Sequence, residues 1–355
     1  MSRPPAGDRG ATASVRLAIS MGCPAGIGPE VAVLAASRAD VPTVLVGDEA
    51  TLVRAATLRG VDAGSWIRLT TEDAFDTHHR GVAVWSRPDG GALGAAGPPA
   101  FGAPRPVDGA AQLAAVDEAL RLVRTGRADA LVTGPVAKSV IAASGAPGAA
   151  SFLGHTEYIA SALSAPEPTM TFVDPKGLSV ALVTTHLALR HVPDAITVAG
   201  VAASTYWLVD MLGRLLGRAP RVVVTALNPH AGESGLLGRE EAEVIAPGVA
   251  AGRARLAAGD VPVAALDGPI GAESAFRHAQ NGRYDGVVAM YHDQATIPAK
   301  LLGFGDAVNV TLGLPVTRTS VDHGTAYDVA GSGQASSRGM EAAVALAVRL
   351  ASSKR

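Results

Sequence analysis

Three histidines in this sequence each follow an apolar run typical of a buried strand. His186 comes after LSVALVTT, His230 after RVVVTALNP, and His292 after DGVVAMY. Ligands of open α/β sheets gather at the carboxyl ends of the strands, so these imidazoles can converge on one point. Neutral imidazoles suit Zn, Co, Ni or Fe, and three of them leave a coordination position for a substrate oxygen. The alternative is three separate histidines at loop starts, each with its own hydrogen bonds.

Two acidic residues lie close to these histidines in the sequence. Asp293 adjoins His292, and Glu233 follows His230 by three positions. A carboxylate that accepts a hydrogen bond from one ring nitrogen fixes which nitrogen faces a metal. Each of the two acids can equally be a helix cap or a surface charge.

The segment SFLGHTEYIA places an imidazole and a hydroxyl at the start of a predicted helix. His155 and Thr156 follow a glycine there. Backbone N–H groups at a helix start attract anions, so both side chains can contact a bound phosphate or carboxylate. The alternative is that Thr156 caps the helix and Glu157 occupies its first turn.

Three polar residues are embedded in the apolar stretch KLLGFGDAVNVTLGLPVTRTS, namely Lys300, Asn309 and Arg318. A cation in apolar surroundings needs an anionic partner because an unpaired buried charge is costly. A phosphate or carboxylate ligand would meet that need. The alternative is that both cations extend to solvent from edge positions.

Two glycine-rich segments could contact a nucleotide. The glycines of GCPAGIGPE do not match the dinucleotide fingerprint G-x-G-x-x-G, and a tight turn between strand and helix explains them equally well. The segment HGTAYDVAGSGQA offers backbone amides and Asp328 for a ribose or adenine contact, or is a plain glycine loop.

The elements that must position these residues alternate between apolar strands and helices. A first strand is predicted at 15–20, with a glycine loop and a helix that starts near Pro29 after it. Helical spacing recurs at 109–125, whereas 81–106 is rich in Gly, Pro and Ala. Continuous apolar strands between helices predict an α/β sheet that is covered on both faces.

The length of 355 residues predicts two domains, because a single core stops growing below that size. We expect a first domain of residues 15–133 and 318–355, a second of 134–317, and a disordered tail at 1–14.

Composition and charge exclude several classes of partner. A net charge of -2, with acids and bases interspersed, argues against nucleic acid. A single cysteine, Cys23, excludes an intrachain disulfide and is typical of a reducing compartment, so we expect a cytoplasmic protein. No secretory signal and no apolar run of about 18 residues is present, which predicts neither export nor a membrane span.

Eight blocks of this sequence, in order along nearly the whole chain, resemble those of the 4-hydroxythreonine-4-phosphate dehydrogenase family of vitamin B6 biosynthesis. They are SMGCPAGIGPE, LVTGPVAKS, FLGHTEYIA, VTTHLALRHVP, LNPHAGESGLLGREE, YDGVVAMYHDQ, GFGDAVNVTLGLP and RTSVDHGTAYDVAG. Two positions depart from the family's usual pattern: Cys23 replaces Asp or Glu, and Glu273 replaces Asp. ATIPAK, after YHDQ, is closer to paralogues that act on threonate or erythronate 4-phosphate.

The resemblance implies a role for each candidate residue. A divalent metal, Zn, Co or Mg, would be held by His186, His230 and His292, with Glu273 of a neighbouring subunit nearby. Substrate would be bound by His155, Thr156, Lys300, Asn309 and Arg318, with Lys300, His155 and Asp293 as catalytic groups. NAD or NADP would contact Gly324, Asp328 and Gly331.

The resemblance also implies the architecture and the reaction. We expect a homodimer of two α/β/α domains with a deep cleft between them, similar to isocitrate and isopropylmalate dehydrogenases. The expected reaction is metal-dependent oxidation and decarboxylation of 4-phosphooxy-L-threonine to 3-amino-2-oxopropyl phosphate. The alternatives are a paralogue that oxidises D-threonate or D-erythronate 4-phosphate or another phosphorylated hydroxy acid, and a non-catalytic homologue that only binds ligand.

Overall fold

The computed structural model describes residues 15–71, 74–77, 80–86, 97–174, 178–302 and 307–353. The predicted tail at 1–14 and part of the glycine-rich segment at 81–106 lie outside these ranges. The chain separates into two compact units. The first contains the described residues up to Ser164 together with Pro315–Ser353, and the second is Ala165–Leu314. Both combine strands with helices, so the predicted α/β class is confirmed.

The described residues form twelve strands and twelve α-helices. The strands are β1 (Leu17–Ser20), β2 (Thr43–Val46), β3 (Ile67–Leu69), β4 (Val82–Trp85), β5 (Ala130–Thr133), β6 (Thr169–Val173), β7 (Ser179–Leu182), β8 (Arg221–Thr225), β9 (Ala265–Ile270), β10 (Gly286–Ala289), β11 (Val308–Leu312) and β12 (Thr317–Val321). The helices are α1 (Gly28–Ser37), α2 (Glu49–Arg59), α3 (Ala74–Thr77), α4 (Pro106–Arg124), α5 (Lys138–Ala143), α6 (His155–Ala162), α7 (Val192–Ala195), α8 (Val198–Leu216), α9 (Ala246–Ala258), α10 (Ala272–Gln280), α11 (His292–Leu302) and α12 (Arg338–Ser352).

The first unit contains an all-parallel sheet in the order β3-β4-β2-β1-β5-β12. Its three central strands, β2, β1 and β5, are buried at every position. Strands buried on both faces need apolar side chains in both directions, which explains the unbroken apolar runs in the sequence. The loops that follow these strands therefore begin directly at a fully buried layer.

The second unit contains a mixed sheet in the order β11-β6-β7-β10-β8-β9. Strands β7, β10, β8 and β9 are parallel, whereas β6 runs antiparallel to both β7 and β11. Its core includes Phe172, Leu182, Val223, Phe276 and Val287. The three parallel strands β7, β10 and β8 thus end side by side, and the loops that carry the predicted metal ligands follow them.

An aspartate at the start of one strand fixes the neighbouring strand in both units. The N–H of Arg16 donates to Asp129 Oδ2 at 2.8 Å, while the N–H of Asp129 donates to the carbonyl of Arg16 at 2.7 Å. Asp285 makes the same two bonds with Arg221, each at 2.7 Å. We call these the strand clamps. Each one sets the register at which a central strand pair begins.

The first unit extends beyond the boundary expected at 134. Helix α5 and the turn at Ala149–Ser151 pack against α4 through a cluster of Leu113, Ile141 and Phe152. Helix α6 follows directly and belongs to the same unit, which continues to Ser164. The Gly134-Pro135 pair ends a strand without ending the unit, because the helices after it return to the same core.

Hydropathy along the described helices gives one marginal case. No single helix there has the length and apolar composition to cross a bilayer, and one bent pair, Leu189–Ala195 with Val198–Leu216 at 88°, meets that test by length and composition only.

Candidate active site

Two of the three predicted metal ligands lie next to each other. His186 follows β7 and His292 begins α11 directly after β10, its parallel neighbour. Their ring centroids are 5.5 Å apart, with 43° between the ring planes. His292 Nδ1 lies 2.8 Å from Asp293 Oδ1. That contact leaves His292 Nε2 as the nitrogen available to a ligand, which is the arrangement expected of a carboxylate that orients a metal-binding imidazole.

Gln294 is a positioning residue that sequence reasoning missed. Its Oε1 accepts from the N–H of Met290 and from Thr225 Oγ1, each at 2.7 Å, and its Nε2 donates to the carbonyl of Ala226 at 2.8 Å. The side chain therefore ties the end of β10 to the end of β8. Thr184 adds a bond from its Oγ1 to the carbonyl of Met290 at 2.8 Å, which fixes the loop that leads to His186. One clue to this role was present in the sequence, namely that Gln294 comes two residues after the candidate ligand His292, close to a strand end.

His230 is not brought into this pair. Among the described residues, no set of three or more His, Cys, Asp or Glu side chains is grouped as a metal site. His230 begins six successive residues with positive φ, which end at Gly235. Four of the six are not glycine, and such backbone is costly unless its surroundings hold it in place. His230 is exposed and lies on this unusual left-handed turn. Within the part of the chain that the structure describes, no hydrogen bond joins Glu233, on the same turn, to the His230 ring.

A buried glutamate anchors the start of that turn. Glu241 Oε1 accepts from the N–H groups of Leu227 and Asn228 at 2.9 and 2.7 Å, and its Oε2 accepts from Asn228 Nδ2 at 3.0 Å. Glu241 begins a short π-helix, Glu241–Ile245. The role of Glu241 was not predicted from the sequence, because its hydrogen-bond partners are thirteen and fourteen positions away. The only sign of it was the pair of acidic residues in REE, after the NPHAGE block.

The other candidates of the second unit are dispersed over its surface and its sheet. Lys300 is exposed near the end of α11. Glu273 is exposed on α10 and accepts from Arg277 Nε at 2.9 Å. Asn309 lies in β11 opposite Phe172, and its buried Oδ1 makes no hydrogen bond with the described chain. A buried acceptor without a donor is a position that a ligand hydroxyl or ammonium could fill.

The first unit holds a cationic group of residues at the end of β5. Arg318 in β12 is buried, at 2% exposure, and its Nη2 donates to Thr133 Oγ1 at 2.7 Å. Burial lowers the pKa of Arg318 to about 10, against the opposing effect of the Glu157 carboxylate. Thr133 was not singled out from the sequence, although it ends the strand in LVTGP. The predicted burial of this cation is observed, and the reading that it extends to solvent is wrong.

His155 lies beside Arg318 at the start of α6. Its Nε2 is buried and makes no hydrogen bond with the described chain, and its ring meets that of Phe152 edge-on at 5.8 Å. Burial, and then the positive charges of Arg318 and Lys138, hold the pKa of His155 well below its ordinary value of 6.5. The imidazole is therefore neutral at physiological pH. Gly154 is the N-cap residue of α6, so the alternative reading of Thr156 as the cap is wrong, and Thr156 is buried in the first turn.

The first glycine loop is a close-packed turn. A Cβ on Gly22 would lie 2.5 Å from the carbonyl oxygen of Pro135, and one on Gly28 would lie 2.4 Å from that of Met21. Both glycines are required because other backbone occupies the space of a side chain. The tight-turn reading of GCPAGIGPE therefore describes this loop.

The same loop is bonded to the predicted cofactor segment. The N–H of Ile27 donates to the carbonyl of Thr325 at 3.0 Å, and Cys23 Sγ lies 3.4 Å from the Tyr327 hydroxyl. Burial raises the pKa of the Cys23 thiol, so the thiol is neutral.

The three predicted cofactor contacts differ in availability. The N–H of Gly331 donates to Glu30 Oε1 at 2.8 Å and is therefore used inside the protein. Gly324 and Asp328 are exposed. Asp328 can accept from a ribose hydroxyl, whereas Gly331 shapes the segment through Glu30.

Comparison with known families decides the assignment. A family model described as pyridoxal phosphate biosynthetic protein PdxA matches residues 39–347. The chain belongs to the PdxA family. The resemblance of the eight sequence blocks is thereby confirmed.

PdxA-family relatives named 4-hydroxythreonine-4-phosphate dehydrogenase match this chain over almost its whole length. The protein of Geobacter metallireducens is 40% identical over 340 residues, 95% of each chain. That of Cupriavidus pinatubonensis is 42% identical over 353 residues, 94% of each chain. These relatives are dehydrogenases by name, and the match leaves no large part of either protein uncovered.

Solved structures agree with this assignment. A crystal structure of 4-hydroxythreonine-4-phosphate dehydrogenase from Klebsiella pneumoniae superposes with a TM-score of 0.78 at 33% identity, covering 95% of this chain and 100% of that one. A terephthalate 1,2-cis-dihydrodiol dehydrogenase from Burkholderia xenovorans gives 0.64 at 29% identity, covering 92% and 95%. The PdxA architecture is thus shared by dehydrogenases named for different substrates.

Proposed function

We propose that this protein oxidises and decarboxylates 4-phosphooxy-L-threonine to 3-amino-2-oxopropyl phosphate, with NAD or NADP as acceptor and a divalent metal. The observation that carries the proposal is the pairing of His186 and His292 at 5.5 Å in a chain whose full-length relatives bear that enzyme name. An isolated histidine pair would support only a ligand site. Combined with the family, it supports alcohol oxidation at that site.

The residues present fit a divalent metal. His186 and His292 supply two imidazole nitrogens, and Asp293 orients the second ring. We propose His230, on the turn at Pro229–Gly235, as the third ligand. Imidazole ligands favour Zn or Co over Mg. A metal bound there supplies a Lewis acid that lowers the pKa of the substrate alcohol and stabilises the charge that develops during hydride loss.

The protein's own groups hold the two anionic ends of the substrate. Arg318 and the neutral His155, with Thr156, supply donors that suit a phosphate. Lys300 and Asn309 are proposed to contact the carboxylate and the polar groups near it. His155 donates without carrying charge of its own, so Arg318 keeps its full attraction for the anion.

The nicotinamide cofactor is proposed to lie along the segment from Gly324 to Gly331. Asp328 would accept from ribose hydroxyls. Gly324 is open, since no heavy atom of the described residues, its two chain neighbours aside, lies within 4 Å of where its Cβ would be. Binding does not use a classical fingerprint, because the first glycine loop is closed by backbone contacts.

Turnover with purified, metal-loaded protein tests the function. Reduced cofactor should form from 4-phosphooxy-L-threonine with either NAD or NADP, and His186→Ala and His292→Ala should lower kcat by at least about a hundredfold. Gln280→Ala, at the far end of α10, is a control that should change little. Wild-type protein that binds metal and cofactor yet forms no reduced cofactor would remove this proposal.

We also propose a homodimer in which Glu273 of each subunit contributes to the other subunit's metal site. Its side chain is 76% exposed, with one surface ion pair to Arg277. If sites are shared, mixing inactive His186→Ala and Glu273→Ala proteins should restore activity, to about a quarter of wild type by random pairing of subunits. Light scattering that shows only monomers, or mixtures that remain inactive, would contradict the shared site.

A second candidate substrate is D-threonate or D-erythronate 4-phosphate, or another diol. The structural likeness to a dihydrodiol dehydrogenase favours it. Comparison of kcat/KM for the candidate substrates, under identical metal and cofactor conditions, decides between them.

A further inference from the structure

Lys138 places an ammonium group over the start of α6. Its Nζ lies 3.4 Å, and its Cε 3.6 Å, from the position that a Cβ on Gly154 would occupy. Gly154 immediately precedes His155, so these distances place the ammonium at the start of the helix that carries His155. Lys138 itself begins α5, directly after the PVA segment that leaves β5.

Three elements of the first unit thus direct polar groups to one place. Helix α6 supplies His155, β12 supplies Arg318, and α5 supplies Lys138, whose charge acts on His155 together with that of Arg318. The buried His155 Nε2 has no hydrogen-bond partner in the described chain. A buried polar atom without a partner, beside two cations, indicates a ligand that is anionic and accepts or shares a hydrogen bond.

The charge balance of this group is incomplete. Within the described part of the chain, the carboxylate that acts on Arg318 is Glu157, whose Oε2 lies 2.8 Å from the same Cβ position on Gly154. Two cations and one carboxylate around a neutral imidazole leave about one positive charge. Lys138 is exposed and makes no hydrogen bond or ion pair with the described residues, so its charge is available to a ligand.

We propose that Lys138 is a further anion-binding residue of this site and that it contacts the second negative charge of a phosphoryl group. The inference rests on the proposed function, in which His155, Thr156 and Arg318 hold the phosphate. A phosphate ester carries about -1.5 to -2 charges at neutral pH, more than one buried guanidinium balances. A lysine on a flexible stem can follow the phosphate as a point charge. Lys138 would thereby favour phosphorylated hydroxy acids over unphosphorylated ones.

Calorimetric titration with inorganic phosphate measures this role without turnover. Lys138→Met should weaken phosphate binding about tenfold, the scale of one nearby charge at partial exposure, whereas Lys138→Arg should stay within about threefold. Glu157→Gln should tighten binding, because it removes the opposing charge. Arg124→Met, an exposed cation on α4 of the same unit, is the matched control and should leave the Kd unchanged.

Steady-state kinetics separate this inference from the proposed function. Lys138→Met should raise KM for the phosphorylated substrate about tenfold with kcat within about twofold. Phosphate binding that depends on Lys138 in a protein without turnover would support the inference and remove the proposed reaction. Turnover with Kd and KM unchanged in Lys138→Met, or no phosphate binding by the wild type, would overturn the inference. If Lys138→Met does not fold, Glu157→Gln tests the same charge balance. Tighter phosphate binding by Glu157→Gln then supports the inference, and an unchanged Kd contradicts it.

Discussion

At the scale of single residues, burial decides what His155 can do. Water does not reach its Nε2, and two cations face the ring, so protonation is unfavourable. A neutral imidazole in an anion site contributes a hydrogen bond rather than a charge. Arg318, which is buried more completely, retains its charge because the ordinary pKa of a guanidinium is so high.

The depressed pKa of His155 predicts a loss of stability in acid. Above pH 6.5 the residue is neutral in both the folded and the unfolded chain and has no effect. As the pH falls below 6.5, the unfolded chain takes up the proton first, so the free energy of unfolding decreases until the pH reaches the folded-state pKa. The slope is at most about 1.4 kcal/mol per pH unit.

Thermal unfolding of wild type and His155→Asn between pH 7.5 and about 5 measures this effect. The Tm difference between the two proteins should shift in favour of the variant as the pH falls. Parallel curves over that range would show that His155 does not have a depressed pKa.

At the scale of elements, the strand clamps combine backbone pairing with a carboxylate. Asp285 is 12% exposed and also binds Arg218 Nη2 at 2.6 Å. Burial by itself raises the pKa of Asp285, but hydrogen bonds from Arg218 and from the backbone and side chain of Arg221 lower it to about 2. The clamp thus stabilises the start of β8 and β10, the two strands whose far ends lead to His230 and His292.

Asp285→Asn should lower the free energy of unfolding by about 1–3 kcal/mol at pH 7, because charged hydrogen bonds to two arginines are lost. The wild-type contribution is complete above about pH 4 and is lost as the pH falls toward 2, so the two proteins should converge in acid. Chemical denaturation at both pH values measures it. Asp40→Asn, at an exposed turn, is the control, and an equal effect of the two variants would contradict the clamp.

A buried ion pair holds the predicted cofactor segment to α1. Glu30, with its side chain 1% exposed, binds the N–H of Gly331 and lies 3.3 Å from Arg59 Nη1. Arg59 in turn donates to the carbonyl of Ala335 at 2.8 Å. Glu30 and Gly331 are far apart in the sequence. Only the fold brings Glu30 to the predicted cofactor segment, where it holds the backbone in place.

Glu30→Ala should cost about 3–5 kcal/mol of stability, because it leaves a largely buried Arg59 without its carboxylate. It should also raise KM for the nicotinamide cofactor more than KM for the substrate, since Gly331 loses its anchor. Arg38→Ala removes an exposed ion pair with Glu341 and should cost less than about 1 kcal/mol. Cofactor KM equal to that of wild type in a folded Glu30 variant would argue that the segment does not bind cofactor.

At the scale of the whole molecule, metal binding should couple the proposed activity to stability. Chelation should abolish turnover, and Zn or Co should restore it and raise Tm, because a ligand that binds only the folded state stabilises it by mass action. His186→Ala and His292→Ala should lose the Tm increase. Calorimetry across a metal titration tests this, and a Tm increase that survives in both variants would place the metal elsewhere.

Part of the secondary structure of the whole chain was predicted from sequence patterns. Strands β1, β7, β8 and β10 lie within predicted apolar runs, and α1 and α4 lie close to their predicted positions. The antiparallel strands β6 and β11 were not predicted, because period and composition describe a strand without stating its direction or neighbour. Glu241 and Gln294 were missed for the same reason, since their roles depend on backbone groups that other elements bring to them.

The order of apolar runs, glycine turns and polar blocks by itself determined the α/β class and the family, since both depend on local periodicity and on ordered motifs. Tertiary structure alone decided which groups meet: His186 with His292, His155 with Arg318, and Glu30 with Gly331. These contacts depend on the order of the strands, and each pKa shift depends on burial. Neither strand order nor burial is a local property, because both are set by contacts between residues that are distant in the chain.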